Sequence, residues 1–102
     1  MTKWFFLTNH ALTLGLIAGE PEITARKIAA ELQITERSVR KIIADLQSAG
    51  YIIKTKRANR NVYTIDRQLR MRHPTQRDVH IGDFLNAVAT RKIRDDIKPL
   101  ST

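Results

Sequence analysis

The segment Thr24–Ile65 most constrains the fold, because its hydrophobic spacing changes once, from helical to strand-like. Its first half places apolar residues three and four positions apart, which is the spacing of one helical face. These residues are Ile28, Ala29, Leu32, Val39, Ile42, Ile43 and Leu46. After Gly50, the residues Tyr51–Arg57 and Val62–Asp66 are rich in β-branched and aromatic side chains, which predicts two strands. The predicted order is two short helices and then a hairpin.

Local signals place the ends of these elements. Thr24 and Thr35 each precede an amphipathic run, where a threonine hydroxyl can accept a hydrogen bond from a free backbone N–H. Gly50 is expected to end the second of these helices, because glycine readily adopts positive φ. The hairpin connection is predicted at Ala58–Asn61, whose two asparagines tolerate a left-handed conformation.

The turn between the two helices has a specific apolar pattern. Ala29 stands where the helices would approach most closely, and Ile34 fills the corner between them. Val39 and Ile42 complete the packing from the second helix. Gln33 occupies a turn position that is often glycine, which would cost about 1 kcal/mol if positive φ is required. This pattern and the following hairpin predict a winged helix-turn-helix, a mainly α fold with a small β-hairpin wing.

The flanks of this unit are predicted to be helical. A first helix is expected from an N-cap at Asn9 to about Ala18, with an apolar face of Ala11, Leu12, Leu14, Leu16 and Ile17. The aromatic lead-in Trp4–Leu7 is expected to pack on the core or on another subunit. Pro74 disfavours helix just before it, and a longer helix is predicted over about Thr75–Ile97. Its apolar side comprises Val79, Phe84, Leu85, Val88, Ala89, Ile93 and Ile97. We therefore divide the chain into residues 1–72, the winged helix-turn-helix, and 73–102, a C-terminal helix and tail.

The positive charge is concentrated in one region. The formal net charge is +8, and residues 35–72 carry ten basic and three acidic side chains, whereas residues 1–34 carry equal numbers of each. A localised basic surface is typical of a protein that binds a polyanion. Composition alone leaves open a basic surface that serves only solubility.

Helical phase identifies the side chains that could contact nucleic acid. The helix that follows Thr35 turns its apolar residues to one side, so a basic face points outward. That face comprises Arg37, Arg40, Lys41 and the small Ala44, with Thr35 and Ser38 at the helix start, where N–H groups favour a phosphate. The hairpin tip adds Arg57, Asn59, Arg60 and Asn61, suited to a minor groove or its phosphates.

Several motifs resemble those of small prokaryotic winged-helix regulators, similar to the MarR and ArsR transcriptional regulators. They are Thr24–Ala29, Ile34–Val39, Ile43–Leu46, Ala49–Ile52, Arg72–Pro74 and Gly82–Leu85, and the likeness covers roughly residues 9–89. One departure is Ala58-Asn59 where the wing commonly begins with glycine. The resemblance implies a DNA-binding transcriptional regulator.

Other classes of function have little support. The chain has no cysteine, and its three histidines lack the neighbours of a metal site, so we expect neither metal nor cofactor. No phosphate-binding glycine loop or nucleophile elbow is present, so we expect no enzyme. The apolar stretch near the N-terminus is too short to span a bilayer, which predicts a cytoplasmic, nucleoid-associated protein without a membrane partner.

The sequence thus predicts specific binding of double-stranded DNA by a transcriptional regulator. The helix after the turn would enter the major groove and the wing would contact the minor groove or backbone. A homodimer through the C-terminal helix is expected, against a monomer in which that helix folds back on the first. Two alternatives stay open: a protein-interaction module of a larger complex, and an RNA-binding protein.

Overall fold

Three helices precede a two-stranded hairpin in the computed structural model, which describes residues 4–88. The elements are α1 (Asn9–Gly19), α2 (Ala25–Leu32), α3 (Glu36–Ser48), β1 (Ile52–Arg57), β2 (Arg60–Ile65), a short 3-10 helix (Pro74–Gln76) and α4 (Ile81–Val88). The predicted fold class, a winged helix-turn-helix with a C-terminal helix, is confirmed.

Each of the first three helices begins at a threonine cap. The Oγ1 atoms of Thr24 and Thr35 accept hydrogen bonds from the third helical N–H at 3.1 and 3.0 Å, so both predicted caps are confirmed. The predicted cap at Asn9 is wrong by one residue. Thr8 is the cap, accepting from the N–H of Ala11 at 3.1 Å, and Asn9 is the first helical residue.

The core lies where the first three helices meet. Each contributes a fully buried aliphatic side chain, Ile17, Ile28 or Val39, and burying such a side chain stabilises the fold by about 1.5–3 kcal/mol. The predicted apolar faces of α2 and α3 are confirmed. On α1 the burial is shifted, because Thr13 and Gly15 are buried while Leu12 and Leu16 are half-buried.

The turn between α2 and α3 uses a left-handed residue. Gln33 has φ 58° and ψ 45°, as its position in the predicted turn requires, and its N–H donates to the carbonyl oxygen of Ala29. The N–H of Ile34 donates to the same oxygen at 3.1 Å. One carbonyl therefore accepts both bonds that close the turn.

The wing is tighter than predicted. The strands pair antiparallel from Ile52 opposite Ile65 to Arg57 opposite Arg60, so the connection is only Ala58-Asn59. The predicted strand start at Val62 is wrong, and Arg60 and Asn61 belong to β2. Ala58 has φ 56°, and a positive φ at the first turn residue lets a hairpin reverse in two residues.

The C-terminal helix begins later than predicted. Residues 69–71 pair in extended form with 79–81: the N–H of Met71 donates to the carbonyl of Val79 at 3.0 Å, and that of Ile81 to the carbonyl of Leu69 at 2.7 Å. This pairing holds His80 in a bridge with Arg70, so α4 begins only at Ile81 and the predicted start at Thr75 is wrong. Residues 89–97 of the predicted helix lie outside the described residues.

Gly82 allows α4 to begin against the chain that leaves the wing. Its N–H donates to the carbonyl oxygen of Arg67 at 2.8 Å, and a Cβ at this position would lie 3.1 Å from that oxygen. Two residues of α4, Ile81 and Leu85, are then buried in the same core as α1. The described part of the C-terminal segment thus packs on its own chain.

The aromatic lead-in does not pack on the core. Trp4, Phe5 and Phe6 are 68%, 69% and 91% exposed, and residues 4–8 form neither helix nor strand. Of the helices between residues 4 and 88, none is both long enough and apolar enough to cross a membrane.

Candidate nucleic-acid interface

The outward face of α3 is exposed along the half of the helix that follows Thr35. Its buried side consists of Val39, Ile42, Ile43 and Leu46, and these residues fix which side chains point away from the protein. All six candidates at this helix are exposed: Thr35, Arg37, Ser38, Arg40, Lys41 and Ala44. Their exposure agrees with the helical phase deduced from the sequence.

The first turn of α3 is organised by two hydroxyl groups. Thr35 Oγ1 accepts from the backbone N–H of Ser38 at 3.0 Å and donates to Ser38 Oγ at 2.9 Å. The Ser38 hydroxyl proton is therefore free to point outward. A phosphate oxygen at this helix start would find a hydroxyl donor and the positive end of the helix dipole.

A groove of about 770 Å³ separates α3 from the wing. It brings together Arg40 of α3 and the three tip residues Asn59, Arg60 and Asn61. The other candidates lie outside the groove lining: Thr35, Arg37, Ser38, Lys41, Ala44 and Arg57. The structure thus divides the predicted set into a groove and an outer helix face.

Two groove cations are paired with carboxylates. Arg40 Nη2 lies 3.1 Å from Glu36 Oε2, one helical turn away, and Arg60 Nη1 lies 2.9 Å from Glu22 Oε1. Both pairs are exposed, and such pairs are worth only about 0.2–1 kcal/mol, so a phosphate can replace the carboxylate. Arg37 and Lys41 form no ion pair with any residue between 4 and 88.

The loop between α1 and α2 braces the wing. The N–H of Tyr63 donates to the carbonyl oxygen of Pro21 at 2.9 Å, next to the Glu22–Arg60 pair. Burial raises the pKa of the Tyr63 hydroxyl, and the nearby charge of Arg40 opposes this rise. The buried Tyr63 ring thus forms part of the wall of the groove between the wing and α3.

Sequence reasoning missed two basic residues of the groove, Arg26 and Lys54. Both carried a usable signal. Arg26 is the second residue of α2 after its cap at Thr24, and Lys54 shares a strand face with the buried Ile52, since side chains alternate along a strand. The acidic partner Glu22 had no local signal, because it lies 38 residues before Arg60.

The three histidines have separate roles. His10 Nε2 lies 2.8 Å from Asp45 Oδ2, which connects α1 to α3, and this hydrogen bond is the main cause that lowers the pKa of Asp45. His73 Nδ1 accepts a hydrogen bond from the N–H of Thr75 at 3.2 Å. His80 Nδ1 lies 3.9 Å from Asp83 Oδ2. Within residues 4–88, no three potential metal ligands cluster.

The comparisons with known proteins agree with this geometry. A family model described as an HTH domain matches residues 8–59, half of the chain, from the cap of α1 to the turn of the wing. No curated protein and no solved structure gives a significant match. The matched segment contains the helix-turn-helix, which supports DNA as a partner. The chain therefore belongs to the HTH domain family.

Proposed function

We propose that this protein is a transcriptional regulator that binds specific sites on double-stranded DNA. The observation that carries the proposal is the shared groove, in which Arg40 of α3 and Arg60 of the wing line one surface. A helix and a hairpin that present cations to the same side can contact one duplex together. In this arrangement α3 enters the major groove, and the wing contacts the adjacent minor groove or backbone.

The two parts of the site have different tasks in this proposal. Arg37 and Lys41 are unpaired within the described chain and donate to base edges, where each bidentate contact discriminates by about 1–3 kcal/mol. Arg40 and Arg60 exchange their carboxylate partners for phosphates, which positions the protein without reading sequence. Ala44 leaves space for close approach and contacts a thymine methyl group.

Two observations favour duplex DNA over the alternatives. The tyrosine in the groove, Tyr63, is buried, so the groove offers no stacking platform for unpaired RNA bases among the described residues. A protein-interaction module does not require ten basic side chains in residues 35–72. The likeness to MarR and ArsR regulators extends the proposal to a prokaryotic cytoplasmic protein, associated with the nucleoid, without catalysis or cofactor.

Binding to a random-sequence DNA duplex across a salt series tests the polyanion part of the proposal. Affinity is expected to fall steeply between about 50 and 200 mM salt, because phosphate contacts release counterions. Arg40→Ala and Arg60→Ala should each lower the salt dependence by about one unit of slope. Arg77→Ala is the matched control, since it removes an exposed cation outside the groove.

Selection of bound sequences from a random DNA pool tests specificity. A shared motif is expected, and Arg37→Ala or Lys41→Ala should relax the preference at a few of its positions. The proposal would be wrong if binding ignored salt, if Arg40→Ala matched the Arg77→Ala control, or if an RNA duplex competed as well as DNA.

A further inference from the structure

Three large aromatic side chains stand in solvent just before α1. Phe6 is 91% exposed, and the Trp4 and Phe6 rings contact each other edge-to-face, with centroids 5.1 Å apart. Each ring carries about 150–250 Å² of surface. An exposed apolar patch of a few hundred Å² often marks a binding surface, so we consider these residues, the arm (residues 4–6), as one half of a contact.

A second groove, on another side of the molecule, has an apolar floor. It measures about 670 Å³ and lies between α1, the C-terminal half of α3, residues 71–76 and α4. Its apolar lining includes Ala11, Leu14, Leu46, Met71, Ile81 and Phe84. Arg72 also lines it, and an arginine guanidinium can stack on an aromatic ring. We name this cavity the arm groove.

We propose that the arm of one copy occupies the arm groove of a second copy, and that the exchange is reciprocal. The two features complement each other, since within residues 4–88 one is an uncovered set of aromatic rings and the other an uncovered apolar cavity. The six rings of two arms would bury on the order of 900 Å². The groove walls lose a smaller area, so the total reaches the lower end of the range for a standard stable interface, about 1,200–2,000 Å².

The start of α1 favours exchange over occupancy within one chain. Thr8 lines the arm groove, yet its hydroxyl also caps α1 through the N–H of Ala11. Only Leu7 separates this cap from Phe6. Although Phe6 is only two residues before Thr8, none of the three arm rings lines the groove of its own chain, and all three stay exposed. The groove is therefore open to the arm of another copy.

This interface leaves the DNA-contacting candidates free. The α3 residues that line the arm groove are Asp45, Leu46 and Ser48, all after the last candidate, Ala44. The inference therefore does not depend on DNA binding, and either proposal can fail alone.

Trp4 is the chain's single tryptophan, so its fluorescence reports directly on the arm. In a dilution series of the full chain, the emission maximum should move to shorter wavelength as concentration rises. Light scattering during size-exclusion chromatography should show the mass of two chains over the same range. A monomer at all concentrations, or an emission maximum that does not change with concentration, would overturn the proposal.

A pair of variants tests each half of the contact. Replacing the arm residues in W4A/F5A/F6A should weaken dimerisation more than about thirtyfold, as expected when central aromatic residues are truncated. Ala11→Glu places a carboxylate in the wall of the arm groove and should weaken dimerisation by a similar factor. This change supplies Glu at the third helical position after Thr8, a capping box, so α1 should keep its stability. Asn9→Glu is the matched control outside the groove.

Mixing the two variants distinguishes arm exchange from self-association through a different surface. The arm variant keeps an intact groove but has no tryptophan, whereas Ala11→Glu keeps Trp4 but has a blocked groove. Adding the first to the second should restore the short-wavelength emission of Trp4, because one arm can then enter one open groove. Failure of this complementation, with both variants folded by circular dichroism, would contradict the inference.

Discussion

Arg60 Nη1 lies 2.9 Å from Glu22 Oε1, so a residue proposed to contact DNA is held by an acidic side chain from the loop between α1 and α2. The pair fixes the tip of the wing beside α3. It also places a negative charge where a phosphate would bind. Glu22 therefore both positions the wing arginine and competes with phosphate for it.

Glu22→Gln should tighten binding to duplex DNA by about two- to fivefold at low salt, because an exposed ion pair worth about 0.2–1 kcal/mol no longer competes with phosphate. The gain should shrink as salt rises. Fluorescence anisotropy with a labelled duplex measures the effect. Glu31→Gln, an exposed position on α2, removes the same charge outside the groove and should change affinity less. Equal effects of the two substitutions would show that Glu22 acts only through net charge.

Gln33→Gly should raise the free energy of unfolding by about 0.5–1 kcal/mol. Gln33 holds φ 58° at the end of α2, a conformation that costs a side-chain-bearing residue more than it costs glycine. Urea denaturation followed by circular dichroism measures the change. Ala30→Gly, on the exposed side of α2, is the control with opposite sign and should lower stability by about 1 kcal/mol. Destabilisation by both substitutions would contradict a strained turn.

Thr13→Val should stabilise the protein by about 1 kcal/mol. Thr13 is fully buried in α1, and its Oγ1 has no hydrogen-bond partner among the described residues. A buried hydroxyl without a partner costs about 1–3 kcal/mol, and valine has nearly the same shape. Thr13→Ser keeps the hydroxyl, loses a methyl group and should destabilise by about 1 kcal/mol. Thermal unfolding of both variants separates the two effects, and a loss of stability in Thr13→Val would reveal a partner for the hydroxyl.

Asp45→Asn should lower stability only at pH values where the carboxylate is ionised. The hydrogen bond from His10 lowers the pKa of Asp45 in the folded protein. The ionised carboxylate therefore stabilises the fold above the pKa of the unfolded chain, about 4, and this contribution disappears as the pH falls through the lower folded value. Urea midpoints of the wild type and Asp45→Asn should thus differ at neutral pH and converge as the pH falls from about 4 through the lower folded pKa. In a His10→Ala background, most of the pH dependence of this difference in urea midpoint should vanish. If the pH dependence were unchanged, a group other than His10 would be its cause.

The helices of this fold were readable from local patterns. Thr24, Thr35 and Gly50 mark helix ends through their own hydrogen bonds or φ, and these depend on neighbours a few residues away. The predicted basic face of α3 followed in the same way, because helical phase is a property of one element. The left-handed Gln33 was foreseeable from its place in the turn.

The errors fall where distant segments meet. The C-terminal helix starts at Ile81 instead of Thr75 because Leu69–Met71 pairs with residues 79–81, a contact that no short window of sequence contains. The wing turn is shorter than predicted because Ala58 takes φ 56° and the pairing of β1 with β2 enforces it. By local propensity the two asparagines favour a four-residue turn, but the register of the two strands leaves only two residues in the turn.

Spacing within single elements was enough to establish the order of the helices and wing, the cap residues of α2 and α3, and the outward basic side of α3. Three further relationships depend on how the folded chain packs: Arg40 and Arg60 share a groove, Glu22 pairs with the wing, and within residues 4–88 Trp4–Phe6 stay uncovered while an apolar cavity stays open. Such relationships join residues far apart in the chain, as His10 and Asp45 are joined across 35 positions. They arise from the packing of whole elements against one core, which local patterns do not encode.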